Sequence, residues 1–344
     1  MARLGRLLFG ALVLVALIYY VRVDTVERII VRVNPVVIVA MVVLQVLGAV
    51  FYSGAWYVLI RALGHKFRFL TCQGITFASI FVNYITPSGF FLEATRCILG
   101  ARASGMKFGE STATVIFHRI LYIAAVLAST AVAILALFVG GLITRSTIMH
   151  LAIIPVIAIA VLAIFLYLSS SPNSLRPVLD RLLRLVQPLI KLVQRQANVE
   201  AKKNQFLEEY RLGFRKMLAS KPHVALAFVV SFADWSCGVV VLWVALLGLN
   251  VYVPFSAVAI TVAIGETIQM IPIDVPGTLG IYEASITATL SLFSIPVAVG
   301  ASAALLARVV TSLLELPITG AAAYRYGFEV RDNRTAPLQT YATR

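Results

Sequence analysis

Charge is what this sequence has least of. Asp, Glu, Lys and Arg together make up 13% of its 344 residues, about half the share of a soluble domain. With 60% of residues hydrophobic, a water-soluble fold would leave apolar surface it could not cover. Cysteine is nearly absent. Cys72, Cys97 and Cys237 each lie in or beside an apolar stretch, with no spacing suited to a metal or a redox pair, so they are expected as small core residues. Acids are outnumbered, 15 against 29 bases, for a formal charge of +14. In a soluble chain that balance would suggest a nucleic-acid partner, but here the bases flank apolar runs, and no nucleic acid is expected. The chain also lacks a nucleotide-binding glycine loop, a metal-ligand cluster and a nucleophile beside a base. No cofactor and no metal are therefore expected, and an enzyme acting alone is not.

What is present is a series of runs long enough to cross a bilayer. About 20 apolar residues span the hydrocarbon core, where lipid offers no partner to an open backbone group. Residues 35–60, 69–92, 120–144 and 146–175 contain no Asp, Glu, Lys or Arg, and further spans are read at 224–247, 254–271 and 297–323, broken by single charges. A shorter run at 7–21 follows Arg3 and Arg6 and is read as an anchor rather than a cleaved signal, since no small-residue cleavage site follows it. The expectation is an all-α integral membrane protein, a polytopic helical bundle forming one transmembrane domain over residues 1–344. It divides into a first half (1–168), a basic loop (169–221), a second half (222–325) and a tail (326–344).

Bases collect on cytoplasmic flanks. With the N-terminus inside, 23 of the 29 bases fall inside, 4 outside (Arg22, Arg28, Arg32 and Arg145) and 2 within spans (Arg119 and Arg308). The reading is a cell-membrane protein with both termini and the basic loop in the cytoplasm. In that loop Leu175, Val178, Leu179, Leu182, Leu183, Val186, Leu189 and Ile190 recur at helical spacing among Arg176, Arg181, Arg184 and Lys191, as in an interfacial helix, with Pro188 bending it.

Two segments punctuate the spans in the same way. Pro87, Gly89, Glu93 and Ala94 close one, and Pro276, Gly277, Gly280, Glu283 and Ala284 form the other. Arg119 follows Pro87 by 32 positions and Arg308 follows Pro276 by 32, while the glutamates fall 6 and 7 residues after their prolines. The assigned orientation runs the two copies in opposite senses, predicting two inverted-topology repeats (69–144 and 254–323) with broken or re-entrant helices at the centre. The stretches 87–99 and 276–289 are expected as helical segments packed against each other.

Charges inside apolar spans cost at least ~2.5–3.5 kcal/mol at mid-depth and so find partners. Glu93, Arg119, Asp234, Glu266, Asp274, Glu283, Arg308 and Glu315 lie in or beside spans. A Glu–Arg pair in each repeat is the simplest arrangement, serving either to tie the broken helices or to meet a ligand. His118 is read as a hydrogen-bonding residue, with a proton relay as the alternative. Arg308 and Glu315, seven apart, share a helix face without touching.

At these residues the chain resembles the lysylphosphatidylglycerol synthase transmembrane-domain family of flippase-like proteins, akin to the membrane half of the bacterial multiple peptide resistance factor. The family's Pro-x-Gly segment followed by Glu and Arg is matched by Pro87, Gly89, Glu93 and Arg96, then by Gly105 and a span carrying Arg119. Its Pro-Gly-x-x-Gly-x-x-Glu element is matched by Pro276, Gly277, Gly280 and Glu283, then by Arg308. Phe90 stands where a second glycine is usual. The resemblance covers nearly the whole chain. It implies lipid translocation or assistance to a lipid-modifying enzyme, and a paired re-entrant core. Relatives that transfer aminoacyl groups carry a soluble catalytic domain after the membrane part; here about twenty residues follow the last span.

The leading expectation is translocation of a membrane phospholipid or lipid-linked intermediate through a polar midplane site. That site comprises Pro87, Gly89, Glu93, Arg96, Arg119, Pro276, Gly277, Gly280, Glu283, Arg308 and Glu315, with Arg119 and Arg308 receiving an anionic headgroup. The competing readings are a non-transporting scaffold for a partner membrane enzyme, and an intramembrane enzyme using Glu266, Asp274 or Glu283 as acid or base. Oligomeric state is left open.

Overall fold

The computed structural model describes residues 33–86, 90–143, 199–269 and 280–332, with isolated positions between 156 and 181. The 7–21 run, most of the 175–190 segment, Pro87, Gly89, Asp274, Pro276 and Gly277 lie outside the described residues. The described residues form α1 (Pro35–Ala62), α2 (Phe69–Ile85), α3 (Phe90–Ser104), α4 (Phe108–Val139), α5 (Val199–Ala219), α6 (Lys221–Gly248), α7 (Phe255–Gln269), α8 (Ile281–Leu292) and α9 (Val297–Asp332), with no strand among them. Four are long and apolar enough to span a bilayer, namely α1, α4, α6 and, over Val297–Tyr326, α9.

The helices begin where the sequence offers a start. Asn34 accepts a hydrogen bond from the Val36 N–H at 2.9 Å with Pro35 opening α1, and Pro222 lies in the first turn of α6, where its missing N–H costs nothing. Six hydroxyls inside the helices are satisfied by their own helix: Ser53, Ser79, Thr130, Thr261, Thr289 and Ser302 each donate to the carbonyl four residues back. This lets them occupy apolar helices without an unpaired group.

Two expected spans differ in extent. The run read as 69–92 is two helices, because α2 stops at Ile85 and Thr86 is extended, with φ −112° and ψ 151°. The run read from 120 begins at Phe108; Arg119, read as lying within a span, is carried eleven residues into this helix.

The packing is arranged in reciprocal pairs. Helix α1 packs broadly along α6, while α2 lies on α9 as α7 lies on α4. Each short helix is held by its own neighbours, α3 between α2 and α4, and α8 between α7 and α9. The expectation that 87–99 and 276–289 pack on each other is therefore corrected: among the described residues α3 and α8 share no broad contact, because α2, α4, α7 and α9 supply their packing surfaces.

The apolar core has two parts. One gathers Leu242, Leu246, Val258, Ile260 and Ile286 around α6, α7 and α8, and the other gathers Trp56, Ile75, Phe117, Phe214 and Met217 around α1, α2, α4 and α5. Helix α4 runs from the second (Phe117, Leu121) to the first (Val126, Ile134), so His118, Arg119 and Tyr122 fall where the two meet.

Helix α5 closes one end of the molecule. Phe206, Tyr210 and Phe214 stack along one face, at 6.2 and 5.9 Å between successive ring centroids, and pack on α4 through Phe108 and Phe117. Its Glu209 accepts from the Gly109 N–H at 3.2 Å, satisfying an open amide of the first turn of α4 and placing a carboxylate at the positive end of that helix. A Cβ on Gly109 would stand 2.6 Å from the Phe206 carbonyl oxygen and 2.8 Å from the Tyr210 nitrogen, backbone atoms that cannot rotate away. Gly109→Ala should cost about 2 kcal/mol and expose α5 to limited proteolysis; protease resistance equal to wild type would show that the helices are not held this closely.

A charged site at the junction of the two cores

Arg96 on α3 is the most enclosed charge, its side chain 1% exposed. One arm of its guanidinium donates to the Tyr52 hydroxyl at 3.0 Å and to Glu93 at 3.1 Å, and the other meets His118 Nδ1 at 3.0 Å. The cation also lies 5.0 Å from the centre of the Tyr52 ring and 4.5 Å from that of Trp56, both favourable cation–π distances. Trp56 is fixed in turn by donating to Thr114 at 2.9 Å. A guanidinium can only donate. His118 Nδ1 therefore accepts, its proton sits on Nε2, and the ring is neutral; Nε2 has no hydrogen-bond partner.

Glu93 serves two arginines. Besides Arg96 it has Arg119 Nε at 3.8 Å, and Arg119 is the more open of the two, 38% exposed against 1%. A contact of 3.8 Å is an ion pair without a hydrogen bond, so Arg119 is loosely tethered.

The second half holds the matching pair more tightly. Glu283 is 0% exposed. One of its oxygens accepts from the Gly280 N–H at 2.8 Å and the other from Arg308 Nε. Gly280, at φ +82°, takes the left-handed turn that starts α8, a conformation an L side chain resists. The Arg308 guanidinium lies 5.4 Å from the Tyr282 ring centre, and its buried Nη2 has no hydrogen-bond partner. Glu315, farther along α9, accepts from the Tyr84 hydroxyl at 2.7 Å and from Gln45 Nε2. It fastens α9 to α2 and α1 without touching Arg308.

Between the halves stands Glu266 on α7, within electrostatic reach of Tyr122 and Arg119 of α4 and of Arg308 of α9. Asp234 on α6 has Glu266 and Glu315 as its charged neighbours. Among the described residues, no three His, Cys, Asp or Glu side chains are grouped to hold a metal, and the three cysteines are free and buried.

Of the residues singled out from sequence, Glu93, Arg96 and Arg119 are brought together, and Glu283, Gly280 and Arg308 likewise. Gly105 is a separate turn with φ +70°. The aromatic and amide partners Tyr52, Trp56, Tyr84 and Gln45 were not singled out. They lie 40 to 270 positions from the charges they serve, and no local spacing points to them. A polar residue in an otherwise apolar run was the available signal for Gln45.

Apolar helices of spanning length, with ion pairs enclosed where their cores meet, define a polytopic α-helical membrane protein. The family model for the lysylphosphatidylglycerol synthase TM region matches residues 4–317, and the chain belongs to that family. It is similar to a UPF0104 membrane protein of Methanocaldococcus jannaschii, at 23% identity over 316 residues, 90% of each chain.

Proposed function

We propose that the protein translocates a membrane phospholipid or lipid-linked intermediate, taking its anionic headgroup between Arg119 and Arg308. The observation that carries this reading is the pair of incompletely used guanidiniums. Among the described residues, Arg119 has an ion-pair contact no closer than 3.8 Å, and Arg308 keeps a buried Nη2 without a hydrogen-bond partner. A phosphate oxygen offers both the bidentate acceptor that an arginine fork fits. Glu93 and Glu283 hold the arginines when the site is empty.

Inverted repeats belong to the same proposal. The order α1–α4 is repeated by α6–α9, a short helix follows a break in each half, and the arginine stands eleven residues into the next helix, from Phe108 to Arg119 and from Val297 to Arg308. The reciprocal packing of α2 on α9 and α7 on α4 is what a two-fold relation between the halves produces. The basic loop and both termini then face the cytoplasm, and the N-termini of α3 and α8 flank the transport path.

Purified protein in vesicles should move a labelled anionic phospholipid between leaflets without a partner enzyme. Arg119→Ala should slow this by about tenfold or more while changing stability by less than about 1 kcal/mol, as expected for a half-exposed pair. Arg119→Lys should substitute poorly. Transfer no faster than in protein-free vesicles would overturn the proposal.

A further inference from the structure

Among the described residues, five carboxylates, Glu93, Asp234, Glu266, Glu283 and Glu315, share the helical interior with three guanidiniums, Arg96, Arg119 and Arg308. His118 adds no positive charge, because its Nδ1 accepts from Arg96. Fully ionised, this network would carry two more negative charges than positive, and an anionic headgroup would add another. Uncompensated charge at that depth costs several kcal/mol per ion. The headgroup must therefore arrive with positive charge.

The geometry indicates where that charge goes. Glu93 and Glu283 own the ion pairs, and Glu315 is held by two neutral donors, Tyr84 and Gln45. Asp234 lies 3.6 Å from where a Cβ on Gly48 of α1 would stand; its electrostatic neighbours are Glu266 of α7, Glu315 of α9, Tyr52 of α1, Tyr122 of α4 and Cys237 of its own helix, none of them a cation. Glu266 differs. It faces Tyr122 and Arg119 of α4, Arg308 of α9, Tyr282 of α8 and Asp234 of α6, and its countercharges are the two arginines offered to the headgroup. Among the described residues, four polar atoms of this cluster also lack hydrogen-bond partners: Arg308 Nη2, Arg96 Nε, Glu93 Oε1, and Nε2 of His118, a residue 1% exposed.

We propose that Glu266 is a proton-binding site coupled to headgroup binding. When a phosphate draws on Arg119 and Arg308, the Glu266 carboxylate loses its countercharges, takes one proton from water and becomes a neutral acid. The lipid and the proton then cross together, which supplies a driving force to a chain in which no nucleotide-binding loop was found. The proposal rests on the headgroup reading above.

The test is calorimetric titration of the detergent-solubilised full chain with a short-chain phosphatidylglycerol, in two buffers of different ionisation enthalpy. This yields affinity and protons exchanged separately. Wild type should take up about one proton per lipid, and affinity should fall about tenfold per pH unit as pH rises above neutrality. Glu266→Gln should bind with little pH dependence and take up almost none, whereas Asp234→Asn should keep the wild-type uptake. Should Glu266→Gln not fold, Tyr122→Phe serves instead: it removes the hydroxyl that stabilises the ionised carboxylate, so the fall in affinity should move to higher pH. Binding without proton exchange, or undiminished uptake in Glu266→Gln, overturns the proposal and leaves the headgroup reading standing. Affinity that follows sodium concentration rather than pH assigns the charge to a metal cation and also overturns it. No binding by wild type removes both readings.

Discussion

Arg308→Ala should lower the unfolding free energy by about 3–5 kcal/mol, the cost of leaving a buried charge without its partner. The orphan is Glu283, 0% exposed and still committed to the Gly280 N–H that starts α8. That double duty determines how the pair must be replaced to separate structure from function. An apolar residue at 283 would strip the amide of its acceptor, whereas glutamine keeps an oxygen there. Glu283→Gln combined with Arg308→Met should recover stability to within about 1 kcal/mol of wild type, read as thermal unfolding in detergent. It should nevertheless fail to translocate anionic lipid in vesicles, because the fork that grips phosphate is gone. A double variant that is stable and fully active would reduce Arg308 to a clamp between α8 and α9.

Arg96→Lys and Arg96→Ala should both destabilise the protein, the alanine variant by about 3–5 kcal/mol. Lysine keeps the charge but cannot reach Tyr52, Glu93 and His118 from one planar group while lying over Trp56. The fork joins α1, α3 and α4, so its loss should also free α3, read as faster labelling of a cysteine placed at Ala94. Thermal unfolding of Arg96→Lys within 2 °C of wild type would show that the charge alone suffices. Arg96 was grouped with the site residues from sequence, and it stands beside Arg119 with its side chain 1% exposed.

Much of the fold was legible because lipid imposes a simple requirement on sequence. A charge-free run of sufficient length has to be helical, and helices α1, α6 and α9 start within a few residues of where such runs start. The charge-free stretch marks only part of α4, which begins at Phe108 and carries Arg119 inside it beside Glu93. Helix α5 obeys a different rule. Its apolar face, Phe206, Tyr210, Phe214 and Met217 at helical spacing, was readable, but the neighbouring basic segment drew attention to itself. At the site, the Glu–Arg pairing followed from the cost of isolated charge. The Tyr52 and Trp56 enclosure did not, because it depends on which helix faces which, and that is decided by long-range packing.

Glu93 answers to two arginines and Glu283 to one, and this makes the two gates of the site unequal. If Arg119 swings away, Glu93 keeps Arg96 and little is lost; if Arg308 swings away, Glu283 is stranded in a place water does not reach. On the proposed transport reading, an incoming anion is captured first by the arginine of the first half and handed on only when it can compensate the second. The empty protein would then behave as a one-sided latch, quick to engage on one side and slow on the other, and any reversal of transport would have to begin at the stiffer end.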